Sequence, residues 1–469
     1  MVARVRGPVG GLRCHRNRRK PIDRVGFKDY RDGKDQSHEA GCHDSPEKRS
    51  PSSSSLPFEI RTRPRGGHVT RRVLLAAEAV TLAHLARPLA IGRALEAMDW
   101  QVTLACDPRF RGFLGDFHGK YRELRSVQPE VFLAALRRGT PLYDVETLNR
   151  YVVDDLRVIG EVKPDLIVGD FRLSLSVSAR LARVPYVALA NAYWSPFYEP
   201  GKWPVPELWL TKLLPIAVAE RVFRVARPAA FALHSRPLNR VRKRHCLADL
   251  GLSLRRVYTD ADFVAYADAP ALFPIATLPA THRFIGPALW EPPVSFPPWW
   301  SELREDRPMV YVTLGSSGQA SLLPAVAETL GALDVSVVIA TAGRARLPAP
   351  PPNTRVAEFL PGTQVARRAD VVVCNGGSLT CYQALSAGVP VIGIASNLDQ
   401  FLNMQAVERI GAGLSLRADR FRPAELLGAL RQVLSDARFG TSARRVADWC
   451  AEHPLAGAVR DLLQGIFRS

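Results

Sequence analysis

From Val73 onward the chain alternates short, unbroken apolar runs with stretches that repeat their apolar residues at helical spacing. Val73-Leu-Leu-Ala-Ala77, Val102-Thr-Leu-Ala-Cys106, Asp165-Leu-Ile-Val-Gly169 and Val184-Pro-Tyr-Val-Ala-Leu-Ala190 have no polar face, which predicts strands buried on both sides. Between them, Pro88–Ala97, most of 111–160 and Ser174–Arg183 are amphipathic and predicted helical. A second series begins at Met309-Val-Tyr-Val-Thr-Leu314 and continues with Val335–Ala340, Val371–Cys374 and Val391–Ile394, again with helices between. Strands alternating with helices predict parallel sheets of the α/β class. Pro292-Pro293 and Pro297-Pro298 punctuate residues 287–308 and predict a stiff linker between two such units. The chain therefore reads as two Rossmann-like domains, 69–289 and 309–443, joined by 290–308 and followed by helices over 444–469.

Composition adjusts this picture in three places. A chain of 469 residues is long enough for two domains, and 47% hydrophobic residues suffice for two cores. Seven cysteines with no CxxC pair and no metal spacing predict reduced thiols and a cytoplasmic setting. No apolar run reaches the length of a membrane span. The net charge of +18 is uneven: residues 1–72 hold 18 Lys and Arg against 8 Asp and Glu, a net of +10. Residues 1–68 lack apolar periodicity and carry Ser52-Ser-Ser-Ser55, a composition that predicts a disordered extension dispensable to the fold. A basic arm for nucleic acid is the competing reading of that segment.

Chemistry concentrates at strand ends. Val371–Cys374 is broken by Asn375-Gly376-Gly377, and a helix with Ser378 as its cap follows, carrying Leu379, Tyr382 and Leu385 on one face. Gly388 ends that helix and Pro390 prevents its return. A small-residue turn at a helix N-terminus exposes N–H groups suited to phosphate, although Gly-Gly is common in any such loop. His84 follows the first strand, where the alternative reading is a surface or capping residue. Asp170 ends a later strand, at the edge where parallel sheets bind ligands, and could equally cap the next helix. The loop from Asn191 to Pro204 holds five aromatics and could wall an apolar ligand or pack beneath a loop. Leu208–Phe223 mixes apolar residues with Lys212 and Arg221, so contact with a membrane surface stays open. Asp260-Ala-Asp262 has the spacing of a metal-binding pair, but Tyr258, Phe263, Val264 and Tyr266 around it predict a structural strand and no metal site.

The stretch Gly376-Gly377-Ser378, Thr380, Ala387-Gly-Val-Pro390, Asp399-Gln400 resembles the donor-binding signature of UDP-glycosyltransferase-like enzymes, bacterial macrolide and small-molecule type. Two positions depart from that pattern: Asn375 stands for the family histidine and Leu379 for the second turn glycine. The resemblance covers 70–469 and implies a GT-B fold, two Rossmann-like domains facing across a cleft, with the helices of 444–469 packing back toward the first domain. It implies that Gly315, Ser316, Ser317, Asn375, Gly376, Gly377, Ser378 and Thr380 hold the donor diphosphate. Phe359 and Leu360 would lead into the nucleoside site at Pro361–Gln364, and Asp399 and Gln400 would bind the sugar. It implies His84 as catalytic base with Asp170 as its partner, although the family's Gly-His-x-x-Pro is here Ala83-His84-Leu85-Ala86-Arg87-Pro88. Tyr193, Trp194 and Phe197 become acceptor-binding candidates.

The implied reaction is inverting transfer of a hexose from a UDP- or dTDP-sugar co-substrate to a hydroxyl of a small, apolar acceptor, with no cofactor. Its partners are those two small molecules and no nucleic acid. A catalytically weak nucleotide-sugar-binding homologue, or an accessory protein of such an enzyme, is the alternative that Asn375 raises.

Overall fold

A computed structural model of the chain describes residues 70–468. Both expectations for residues 1–68, extension or nucleic-acid arm, lie outside the described residues. The first sheet holds β1 (Arg72–Ala77), β2 (Gln101–Cys106), β3 (Lys120–Glu123), β4 (Leu166–Asp170), β5 (Tyr186–Ala190), β6 (Phe263–Tyr266) and β7 (His282–Phe284). The second holds β8 (Met309–Thr313), β9 (Ser336–Ala340), β10 (Thr354–Ala357), β11 (Val371–Cys374), β12 (Val391–Ala395) and β13 (Gly413–Arg417). Their orders are β3-β2-β1-β4-β5-β6-β7 and β10-β9-β8-β11-β12-β13, and every pairing is parallel. The two Rossmann-like sheets with helices on both faces are the GT-B architecture.

In each sheet the strand order reverses once, between β1 and β4 and between β8 and β11. Such a switch point opens a crevice at the carboxyl edge of the sheet. An aspartate fixes the register at both. Asp165 Oδ2 accepts from Arg72 N at 2.8 Å, and Asp370 Oδ2 accepts from Met309 N at 2.8 Å. Asp262 does the same for Tyr186 N at 2.9 Å, and Asp260 pairs with Arg180 at 2.9 Å and with Arg242. The Asp-x-Asp pair is thus engaged in holding strand β5 and the neighbouring helices.

Three elements differ from the sequence reading. The helix after β1 spans Leu82–Glu96 and carries Pro88 inside it rather than at its start. Proline has no N–H to give the carbonyl four residues back, so the break in the ladder falls at His84. The segment 111–160 contains the edge strand β3, too short and polar to show as a strand. Of the last two helices, Ala437–Glu452 stays with the second domain, and only Leu455–Arg468 crosses back. Val459, Leu462, Leu463 and Ile466 there join the core of Val73, Leu75 and Leu89.

Behind the first switch point lies a fully buried cluster. Arg172 Nη1 donates to Glu78 Oε2 at 2.8 Å, and its Nε donates to Asp155 Oδ1 at 3.0 Å. Tyr151 and Tyr143 donate to Glu78 Oε1 at 2.8 and 3.1 Å, and Ser174 and Ser178 donate to Asp155. Glu78 directly follows β1 and Arg172 closely follows β4, so the ion pair ties the two strand exits together. Burial pushes the Asp155 carboxyl up, and the Arg172 charge and the serine bonds oppose that shift. Arg172→Met should lower unfolding free energy at pH 7 by about 3–5 kcal/mol, the cost of leaving buried carboxylates unpaired. The deficit should shrink toward pH 5, because Asp155 is then neutralised by protonation. Urea titrations at both pH values check this, and equal deficits would show that lost packing dominates instead.

Candidate active site

His84 sits in the first turn of the helix Leu82–Glu96, capped at Thr81. Asp170 is the last residue of β4, and β1 lies beside it with Ala77 opposite Asp170. This pairing places His84 Nδ1 2.8 Å from Asp170 Oδ1. A carboxylate only accepts, so Nδ1 carries the hydrogen and Nε2 keeps its lone pair. The imidazole lines the interdomain cleft and is 18% exposed, whereas Asp170 is fully buried. Phe171 stacks on the imidazole, ring centroids 4.9 Å apart at 15°. Its φ is +56°, a left-handed conformation costly for a bulky residue, and that turn is what aims its ring at His84.

The sequence reading missed Arg87. Its Nε and Nη2 each donate to Asp170 at 2.6 Å, one to each oxygen, and Nη1 donates to Asn191 Oδ1 at 2.8 Å. The separate approach of Nη2 to His84 Nδ1 at 3.3 Å is proximity only, since both nitrogens are donors. Burial alone would raise the Asp170 carboxyl. The Arg87 charge and the bonds from His84 and Arg87 outweigh it and hold Asp170 below the usual carboxylate range. Because the folded value lies below the unfolded one, this pairing stabilises the fold above about pH 4 and is lost only in stronger acid. The spacing His84-x-x-Arg87 puts both on one helical face. That signal is hidden when the helix is drawn from Pro88.

Across the cleft, the second switch point supplies both loops that the sequence assigns to the donor. Gly315-Ser316-Ser317 follows β8 and Asn375-Gly376-Gly377 follows β11. Asn375 joins them: its Nδ2 donates to Ser317 Oγ at 3.1 Å and its Oδ1 accepts from Gly377 N at 3.1 Å. Gly376 has φ +75°, and a Cβ there would meet Met404 Cγ at 2.6 Å. Asn403 Nδ2 holds its carbonyl at 2.9 Å. The helix cap is Gly377 rather than Ser378. Ser378 is the first helical residue, and its hydroxyl turns outward to accept from Asn191 Nδ2 at 3.0 Å. Leu379, in place of glycine, packs against the core of the first domain. Thr380 and Gly377 line the cleft.

Asp399 and Gln400 open the helix Leu398–Arg409, whose capping box joins Asn397 and Gln400. Gln400 Oε1 accepts from Ser396 N at 2.8 Å, while its buried Nε2 has no acceptor among the described residues. A buried amide donor aimed at a cleft calls for a ligand acceptor. Asp399 Oδ1 accepts from Trp194 Nε1 at 2.7 Å. Burial pushes its carboxyl up, opposed by the bonds from Trp194 and Tyr193 and by the charge of His84. The structure therefore brings His84, Tyr193, Trp194, Asn375, Gly377, Ser378, Asp399 and Gln400 to one cleft of about 240 Å³, with Asp170 buried behind His84 and Gly376 behind the turn.

Phe359 and Leu360 line its far end, where Phe113 contacts both Phe359 and Trp290 edge-on at 5.4 and 6.3 Å. Trp290, assigned from sequence to the linker, is buried there, and Gln383 Nε2 donates to its carbonyl at 2.7 Å. Phe197 is not brought in. It lies half-exposed against His282, ring centroids 5.1 Å apart. Among the described residues, no group of three His, Cys, Asp or Glu side chains is arranged to hold a metal ion.

A second cavity of about 570 Å³ adjoins the first and shares Trp194, Tyr258 and Asp399 with it. Leu133, Leu136, Phe223, Ala226, Ala230 and Phe231 make its wall largely apolar. Through Trp194 and Tyr258 it adjoins the part of the first cleft that His84 lines.

Residues 324–464 match the family described as Erythromycin biosynthesis protein CIII-like, C-terminal domain. The chain is 50% identical over 378 residues to a PGL/p-HBAD biosynthesis rhamnosyltransferase of Mycobacterium bovis (strain BCG / Pasteur 1173P2), covering 81% of this chain and 84% of the relative. The chain belongs to this glycosyltransferase family. Among solved structures, the Spinosyn Forosaminyltransferase SpnP superposes with a TM-score of 0.62 at 19% identity, covering 86% of this chain and 100% of its own. The Spinosyn Rhamnosyltransferase SpnG complexed with thymidine diphosphate gives 0.61 at 20% identity, covering 84% and 100%. The protein is a glycosyltransferase of GT-B architecture, bacterial macrolide type.

In this glycosyltransferase Arg87 holds Asp170, the partner of His84, by both oxygens, which predicts a positioning role. Arg87→Met should lower transfer about 10- to 100-fold, the usual cost of removing a group that orients a catalytic one. Donor affinity should stay unchanged. With the full Asp170 charge on His84, the acid limb of the rate profile should move to higher pH. Arg87→Lys restores charge without the two-pronged fork and should recover the profile more than the rate. A rate loss with an unmoved acid limb would assign Arg87 to the fold alone.

Proposed function

We propose that this glycosyltransferase moves a rhamnosyl or closely related hexosyl group from a dTDP- or UDP-sugar to a hydroxyl of an apolar acceptor, with inversion and without a metal. One observation carries the reading: a His–Asp pair on one switch point faces a glycine turn and an Asp-Gln pair on the other across a single cleft. His84 Nε2 takes the acceptor proton, and Asp170 balances the imidazolium. The acceptor oxygen then attacks the anomeric carbon from the side of the first domain. The C–O bond to the diphosphate breaks on the opposite face, which inverts the centre. N–H groups at Gly377 and Ser378 and the positive end of their helix receive the leaving charge, a role a metal would otherwise fill.

Gln400 Nε2 and the Asp399 carboxylate take sugar hydroxyls once Trp194 releases Asp399. The nucleoside base lies toward Phe359 and Trp290. The name of the Mycobacterium relative supports a rhamnosyl donor, and the thymidine diphosphate in the SpnG title supports dTDP. The apolar second cavity supports an apolar acceptor.

A panel of nucleotide sugars read by thermal shift tests the donor class. Stabilisation by dTDP-rhamnose, and loss of that shift in Gly377→Val, are the expected results, because the added side chain presses on Asn375, with its Cβ 3.2 Å from Oδ1, and fills the phosphate approach. Asp399→Ala should lose the sugar preference and keep the nucleoside diphosphate. His84→Ala should lose about 10²–10⁴ in transfer rate with donor affinity intact. His84→Ala/Asp170→Asn should be little slower than His84→Ala. Transfer unaffected by EDTA, with the opposite anomer in the product, completes the test. A shift of equal size with every nucleotide sugar would remove the donor assignment.

A further inference from the structure

The second cavity has an outer wall that no part of the described chain covers. Helix Ile216–Arg244 contributes Phe223 and Ala230 inward to that cavity, while Val222 and Ala226 stand at its rim. On its outward side Val218, Val222, Val225, Ala229 and Leu233 follow one another at spacings of four, three, four and four, a single continuous stripe. All five are exposed, Val225 to 82%. The same stripe continues as Arg236, Arg240 and Lys243, also exposed. The preceding helix Trp209–Leu213 packs against this one and adds Trp209 and Leu213, 69% and 74% exposed, four residues apart.

Charge points the same way. Residues 209–244 hold nine Lys and Arg against the single Glu220, a net of +8. Residues 73–469 as a whole hold 45 against 37, also +8. The rest of the globular chain is therefore neutral, and its entire excess lies on this pair of helices. Glu220 is itself paired with Lys202 at 2.7 Å. An apolar stripe running into a basic one, with Trp at its edge, has the chemistry of a surface that rests in an anionic lipid interface. Nucleic acid would be served by the cations and not by the valines. No described helix is long and apolar enough to cross a membrane, so the contact is peripheral.

We propose that this face docks on an anionic bilayer, and that the acceptor of the Proposed function, on whose apolar character this rests, passes from the lipid past Val222 and Ala226 into the cavity. An acceptor with a long apolar tail would then reach His84 without crossing water.

The test is flotation with vesicles of phosphatidylglycerol and phosphatidylcholine, run on the full chain. The expected result is binding to phosphatidylglycerol-containing vesicles, weak binding to phosphatidylcholine alone, and release by salt. Arg236→Glu/Arg240→Glu should reduce binding at least about thirtyfold, two basic residues being lost from the surface. Val218→Glu/Val225→Glu should abolish insertion, read as loss of the Trp209 fluorescence blue shift on vesicle addition. None of these positions is in the donor site, so the thermal shift with the nucleotide sugar should be retained, which shows that the variants are folded. Absence of vesicle binding by the wild type, or binding unchanged in the valine variant, would overturn the proposal. So would a wild-type dimer that the valine variant dissolves, since a second copy would then be the occupant. Failure of the donor shift with vesicle binding intact would instead remove the donor reading and leave the docking face standing.

Discussion

The pairing of β1 with β4 is the constraint on which the catalytic geometry depends. It sets Ala77 opposite Asp170, so that His84 in the helix after β1 can reach the last residue of β4, and no local preference of either segment could do so. The register is fixed at the start by Asp165 on the Arg72 amide and at the exit by Arg172 on Glu78. Between these clamps Asp170 is fully buried, a position where a lone carboxylate would take up a proton. Two partners keep it ionised. Arg87 binds both oxygens, and His84 shares one of them. The arrangement divides one negative charge between a permanent cation and a titratable ring. It holds the imidazole by Nδ1 and so presents Nε2 to the cleft.

The second domain solves the matching problem for the leaving group. Its two loops leave adjacent strands, but both are short and glycine-rich, so something must hold them at a fixed spacing. Asn375 does this through one amide, donating to one loop and accepting from the other. The substitution of the family histidine thus has a physical content. An amide offers a donor and an acceptor at once, at the cost of the positive charge that histidine could offer a phosphate. In the proposed reaction the leaving charge is then met by N–H groups and the helix dipole, so it depends on the backbone geometry that the glycine turn sets.

Much of this was legible in the chain because parallel sheets buried on both faces write unbroken apolar runs, and switch-point residues fall just after them. His84, Asp170, the glycine turn and Asp399-Gln400 all follow such runs. What escaped detection came from contacts between segments distant in sequence. Arg87 was obscured because Pro88 suggested a helix start, whereas the helix tolerates the proline by leaving the His84 carbonyl unpaired. Trp290 sat among prolines and read as linker, although the aromatic partner that buries it, Phe113, is far away in the chain. Asn191 ends β5 as an unremarked polar residue, yet it links Arg87 to Ser378. Phe197 was grouped with Tyr193 and Trp194 by proximity in sequence, and a turn at Ser195 sends it to the other side of the loop.

Of the hydrogen bonds that join the two domains, three end on residues of the proposed donor site. Leu82 N donates to Ser316 Oγ at 3.2 Å, Asn191 to Ser378, and Trp194 to Asp399. The groups assigned to phosphate and sugar are therefore satisfied by the opposite domain when no donor is bound. A nucleotide sugar must replace these contacts rather than add to them, so its affinity is a difference between two sets of bonds. The two sets differ in one respect that favours the donor. Gln400 Nε2 finds no acceptor among the described residues, and a sugar hydroxyl would supply one. Asp399, whose proton affinity is raised by burial against Trp194, would likewise exchange one indole donor for hydroxyls. In the proposed reading Gln400 Nε2 is the one of these groups that the described residues leave unmet, so there a sugar hydroxyl adds a bond rather than exchanging one.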